Sequence, residues 1–94
     1  MSKYREKPKE LKEVDAIYWT GENLNEIKEF LGECFVKVDE QGTLTFKRYS
    51  QKHYGNFEFK RRIPLNWGFI TKNKNGIYSA IAAKRFLEDW EEIL

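Results

Sequence analysis

Residues 16–32 read AIYWTGENLNEIKEFLG and contain the strongest structural signals in the chain. Ile17 and Trp19 alternate with Ala16 and Tyr18, and this period of two residues predicts a strand. The pair Thr20-Gly21 then breaks the strand. A strand, a short turn and a helix are therefore expected in close succession.

The second half of this stretch predicts an amphipathic helix over residues 23–31. Asn23, with Glu26 three residues later, predicts an N-cap and a capping box. Gly32 is typical of the residue that ends a helix in a left-handed conformation. One face of the helix carries the apolar side chains Leu24, Ile27, Phe30 and Leu31.

The remaining elements follow from alternation and turn residues. Five further strands are expected, at residues 34–39, 43–49, 57–63, 67–73 and 77–81. Asn75-Gly76, between the last two, predicts a type I′ hairpin turn. The sequence therefore predicts an α+β fold, with a mainly antiparallel sheet packed against a central helix at about 23–31 and a C-terminal helix at about 83–93.

The length of 94 residues fits one domain. Residues 1–13 are mostly charged and contain Pro8, so they are expected to form a partly mobile N-terminal arm, with Tyr4 docked on the body. Residues 14–94 are then expected to form a single α+β domain.

Several function classes are disfavoured by composition. The apolar runs are far shorter than the ~20 residues that span a bilayer, so no membrane association is expected. The N-terminus is charged and has no apolar segment typical of a signal peptide. Cys34 is the one cysteine, which excludes an internal disulfide and a cysteine-based metal cluster. We therefore expect a cytoplasmic location.

Charge is distributed unevenly along the chain. Residues 43–74 hold eight basic residues and one acidic residue, a net charge of +7. The preceding residues 14–42 hold two basic and seven acidic residues, a net charge of −5. A basic segment between acidic ones is the most informative feature of the composition.

Two motifs near the start of the chain occur together. They are Tyr4-Arg5-x-Lys7-Pro8 and Ala16-Ile17-x-Trp19-Thr20-Gly21-x-Asn23-Leu24-x-Glu26-Ile27-x-x-Phe30-Leu31-Gly32. With them the chain resembles a family of small phage and prophage proteins of unknown function. The family's closing Pro-Gly-Asp-Trp is matched loosely by Pro64-Leu65-Asn66-Trp67, and Tyr18 replaces the family's usual Gln. The resemblance implies a phage or prophage origin in a host-cell cytoplasm and a compact α+β fold, but no reaction.

The basic segment supplies the candidate binding residues. If its two predicted strands pair, their cations approach one another, and tyrosines among them could stack a base or pack against a partner. The alternative is a solubilising solvent face with edge lysines. Arg61 shares the parity of apolar residues, so it points inward, or a bulge or a sheet edge turns it out; we favour the last two. The candidates are Lys47, Arg48, Tyr49, Lys52, His53, Tyr54, Lys60, Arg61 and Arg62.

Other residue types give weaker signals. Trp19 and Trp67 are expected in the core rather than in the wall of a ligand pocket. His53 has no second histidine or cysteine nearby, so no metal site is expected. Cys34 is expected to be a buried, inert thiol. Because no phosphate loop, nucleophile elbow or paired catalytic carboxylates stand out, we expect no enzyme activity and no cofactor.

Three functions fit these observations. The first is a non-catalytic phage-type accessory protein that binds an anionic partner, either nucleic acid, a nucleotide or an acidic protein face, through a basic β-surface. The second is a protein–protein inhibitor of a host defence complex or nuclease. The third is a homo-oligomeric structural component assembled through a sheet edge.

Overall fold

The computed structural model describes residues 2–6, 13–52 and 55–93, and for residues 6, 48–52 and 55–59 it describes the backbone alone. The described residues form two α-helices, α1 (Leu24–Leu31) and α2 (Ala83–Asp89), and a short 3₁₀ turn at Gly32–Cys34. They also form eight strands, which are β1 (Ser2–Glu6), β2 (Glu13–Tyr18), β3 (Phe35–Val38), β4 (Leu44–Lys52), β5 (Gly55–Ile63), β6 (Gly68–Lys72), β7 (Tyr78–Ala82) and β8 (Trp90–Glu92). The α+β prediction is confirmed.

The strands form two antiparallel sheets. Sheet A has five strands in the order β7-β6-β2-β1-β8, and sheet B has three in the order β3-β4-β5. Sheet A is covered on both faces. On one face, Ile17 and Ile70 pack with α1 and with the inner face of sheet B; on the other, Ala16 packs beneath Phe86 of α2. The two clusters explain why β2 is apolar at consecutive positions.

Trp19 joins the two sheets just after β2 ends. Its indole N–H donates to the carbonyl oxygen of Gly42, in the turn between β3 and β4, at 2.7 Å. Its backbone N–H donates to Gly68 O (3.3 Å), and its own carbonyl accepts from Asn66 N–H (3.1 Å). Trp19 is 1% exposed, so its indole ring lies in the core while its N–H reaches the partly buried Gly42 carbonyl. The core position predicted for Trp19 is confirmed.

The first helix agrees with the sequence prediction except at its two ends. It runs Leu24–Leu31, with Asn23 at the N-cap position. Gly32 follows with a positive φ of 53°, but its ψ of −125° is not the predicted left-handed helical conformation, and a 3₁₀ turn begins there. The Asn23 side chain makes no hydrogen bond to the helix. Its oxygen instead accepts from the N–H and hydroxyl of Thr20, and its nitrogen donates to the carbonyl of Tyr18. Asn23 therefore closes the strand-to-helix turn rather than the helix end.

Both ends of the chain differ from prediction. The helix expected at 83–93 ends at Asp89, and Trp90–Glu92 continue as β8. Within the segment expected to be an arm, Ser2–Glu6 form β1 between β2 and β8, while residues 7–12 lie outside the described residues. Both differences have the same cause. β1 and β8 pair with each other, so each strand satisfies backbone hydrogen-bonding groups of the other. Tyr4 does dock, against Phe69 and Phe86.

The type I′ turn predicted at Asn75-Gly76 is wrong, because Asn75 does not have the positive φ that it requires. Gly76, at a φ of 79°, instead closes a longer turn by donating its N–H to Asn73 O (2.9 Å). The Asn73 side-chain oxygen accepts from the N–H groups of Asn75 and Ile77. The same bonds recur at Asp39 in the β3–β4 turn, where its carboxylate accepts from Gln41 and Thr43. In both turns, the side-chain oxygen of the first residue therefore stabilises this longer turn by accepting two backbone hydrogen bonds.

Removing the Tyr78 hydroxyl should destabilise the fold. It donates a 2.6 Å hydrogen bond to the carbonyl of Phe30 in a buried position. Tyr78→Phe leaves that carbonyl unsatisfied, which should cost about 1–3 kcal/mol in the free energy of unfolding. Tyr18→Phe is the control, because its 2.7 Å bond to the Asn66 carbonyl is exposed to water. Urea unfolding measures both variants, and equal losses would contradict the account.

Tyr4 should make stability fall at alkaline pH. Burial, and to a smaller extent the charge of Glu92, raises the pKa of the Tyr4 phenol above its ordinary value. The unfolded chain therefore loses this proton at lower pH, and the free energy of unfolding decreases as pH rises above about 10. Tyr4→Phe should show a shallower decrease in urea unfolding between about pH 9 and about pH 11. Parallel curves for wild type and variant would exclude this role.

Candidate functional site

The register of sheet B brings basic side chains together on its outer face. Leu44 and Phe46 of β4 are fully buried on the core side, so alternation places Thr45 and Lys47 on the opposite side. Lys47 lies directly across from Lys60 of β5. Thr45 lies between two partners, which are Arg62 on β5 and Lys37 on β3. We call Lys37, Lys47, Lys60 and Arg62 the basic face.

The basic face is a dense array of like charge. Neighbouring strands lie about 4.8 Å apart, so the Cα atoms of Lys37 and Arg62 are separated by about two such spacings. This is about one Debye length at physiological ionic strength, and repulsion across the face is therefore only partly screened. Directly opposed like charges destabilise a sheet. Thr45, between them, is only 4% exposed, whereas Lys37, Lys60 and Arg62 are exposed.

Lys37 was not among the sequence candidates. Simple alternation would place it on the same face as Phe35, which pairs with Phe46 on the core side. The β3–β4 register shifts between Phe35 and Lys37, and this irregularity moves Lys37 to the outer face. The sequence does contain a signal for the outer position of Lys37. It is a charged residue between Val36 and Val38, and a lysine is unfavourable in the core.

Arg61 lies on the other side of β5. The register from Leu44–Ile63 to Lys52–Gly55 is continuous, so the bulge interpretation is wrong. Arg61 pairs with the buried Phe46 and keeps the inward parity, but on the edge strand β5 its side chain remains exposed. The Arg61 guanidinium carbon lies 5.7 Å from the centre of the Trp67 ring. Its Nη2 donates a long hydrogen bond, 3.5 Å, to the Ala80 carbonyl. Arg61 thus reaches across from sheet B to the edge of sheet A.

Arg61 opens on a cavity of about 490 Å³ between β7 and α2, which we call the edge cavity. The start of α2 is held beside Trp67, because Ala83 N–H donates to the Trp67 carbonyl at 3.1 Å. This anchor places Arg85 on the cavity wall. The other lining residues are Ala80, Ile81, Ala82, Phe86, Asp89 and Trp90.

The predicted binding residues divide into described and undescribed parts. Lys47, Lys60 and Arg62 share the basic face, and Arg61 faces the edge cavity. The backbones of Arg48, Tyr49 and Lys52 lie on β4 opposite Phe59, Glu58 and Gly55, so Lys47 rather than Arg48 is directly across from Lys60. His53 and Tyr54 lie outside the described residues.

The remaining candidates are placed as follows. Trp67 and Cys34 are half-buried and pack against the core, so Cys34 is less buried than expected. Within residues 2–6, 13–52 and 55–93, no group of three potential metal ligands occurs.

Glu26 and Glu29 of α1 border a cavity of about 530 Å³ together with Asp15 and Lys72. Asp15 is also 3.7 Å from the Lys3 ammonium, so this region carries mixed charge.

Comparison with known proteins identifies no relative: no protein-family model, no curated protein and no solved structure matches the chain. The resemblance to small phage proteins therefore remains a prediction from two motifs. In the described part of the chain, no helix has the length and apolar character needed to cross a membrane.

Proposed function

We propose that this protein is a non-catalytic accessory protein that binds the phosphate backbone of a nucleic acid through its basic face. The observation that carries the proposal is the cross-strand pair of Lys47 and Lys60 beside Arg62 and Lys37. A fold that holds like charges together on one exposed face gains stability when an anion occupies that face. The phage origin and the accessory role are expectations from the resemblance and belong to the same proposal.

A nucleic acid fits this charge pattern because its phosphates form a regular polyanion. Lysine and arginine that neutralise phosphates release condensed counterions, which supplies most of the affinity of sequence-independent binding. The opposite face of sheet B is in the core, where Leu44, Phe46 and Ile63 are fully buried. On the outer face, the side chains of Lys37, Lys60 and Arg62 are exposed, so a partner can reach them from solvent.

Charge reversal on β5 should abolish binding without unfolding the protein. Lys60→Glu/Arg62→Glu removes two cations from the basic face and should weaken binding to a labelled oligonucleotide by about 100-fold at low salt, measured by fluorescence anisotropy. Both positions are exposed, so the thermal midpoint should move by less than about 4 °C.

The matched control is Lys74→Glu/Lys84→Glu, which changes net charge equally at exposed lysines away from the basic face. It should lower affinity less than about fivefold, through long-range electrostatics alone. Equal losses in the two double variants would show that net charge, not the basic face, accounts for binding. Undiminished binding in Lys60→Glu/Arg62→Glu would refute the proposal and favour a different surface.

A further inference from the structure

The basic face and the edge cavity lie on opposite sides of a single strand. Along β5, alternation directs Lys60 and Arg62 to the outer face and directs Arg61, between them, to the edge cavity. Because β5 is the last strand of sheet B, no further strand of the described chain separates the two sites. A flexible polymer lying across this edge would contact both.

The edge cavity combines aromatic surface with cations. Trp67 and Trp90 are half-buried and line it, and the Trp90 ring stacks with that of Phe86, with ring centres 5.8 Å apart and planes 8° from parallel. Arg61 and Arg85 supply two guanidinium groups, and Asp89 is the single carboxylate among the lining residues. Planar apolar surface next to arginine suits a ligand that is both aromatic and anionic.

We infer that the edge cavity holds an unpaired nucleobase of a single-stranded nucleic acid whose phosphates cross the basic face. This inference rests on the proposed function and deepens it, because it names the single strand as the preferred form. Base stacking on aromatic side chains, together with a positively charged track for the backbone, is the general basis of single-strand binding. The volume of about 490 Å³ is within the range of small-ligand pockets.

Arg61 and Arg85 have different tasks in this arrangement. Arg61 is already oriented by the Trp67 ring and by the Ala80 carbonyl, so little conformational freedom is lost when it contacts the strand. Arg85 is exposed and can stack on the base or pair with its phosphate. A duplex offers the same phosphates but keeps its bases paired and stacked, so only the single strand would fill the edge cavity.

Three probes of equal length distinguish base binding from phosphate binding. They are a single strand of about 12 nucleotides, the same strand without bases, and the matching duplex. The wild-type protein should bind the base-bearing single strand about tenfold more tightly than the abasic strand, since stacking adds to the phosphate term. Arg85→Gln should reduce this advantage to less than about threefold and leave duplex affinity nearly unchanged.

The control is Lys84→Gln, which removes a charge from the adjacent exposed helix position that does not line the edge cavity. It should retain the preference for the base-bearing strand. Equal wild-type affinity for all three probes would overturn the base-binding inference and leave the phosphate-binding proposal standing. Binding of none of the probes at low salt would overturn both.

Discussion

The arrangement of this protein depends on the hydrogen bond from the Trp19 indole to the Gly42 carbonyl, which joins the two sheets. A tryptophan that is 1% exposed needs a partner for its N–H, since an unsatisfied buried donor costs about 1–3 kcal/mol. Here the partner belongs to the other sheet. The Trp19 backbone also bonds to Gly68 and Asn66, so this one residue connects the β3–β4 turn with the segment that leads into β6. The shared apolar core then packs sheet B against sheet A.

The geometry of both candidate sites follows from this junction. The inner face of sheet B packs against α1 and sheet A, so Lys37, Lys60 and Arg62 are exposed on its outer face. The same packing brings the edge strand β5 near β7, where Arg61 reaches the Ala80 carbonyl and the Trp67 ring. The basic face and the edge cavity are consequently two sides of one strand.

The sequence predicts the structures that depend on neighbouring residues, but not those that depend on contacts between distant segments. Residues 16–32 contain their own strand, turn and helix, so their prediction is accurate apart from the roles of Asn23 and Gly32. The pairing of β1 with β8 is not visible in the local sequence, because the two strands lie near opposite ends of the chain. The basic charge of residues 43–74 identifies Lys47, Lys60 and Arg62. Lys37 lies outside that segment and joins them only through the pairing of β3 with β4.

Salt dependence tests the central claim, that the basic face binds phosphates, most directly. Affinity of the wild-type protein for a single-stranded oligonucleotide should be measured by anisotropy over a range of monovalent salt. If the four basic residues contact phosphates, the logarithm of affinity should fall with the logarithm of salt with a slope of about −3. A slope near zero would contradict the account, because it would indicate an interface that neutralises no phosphates.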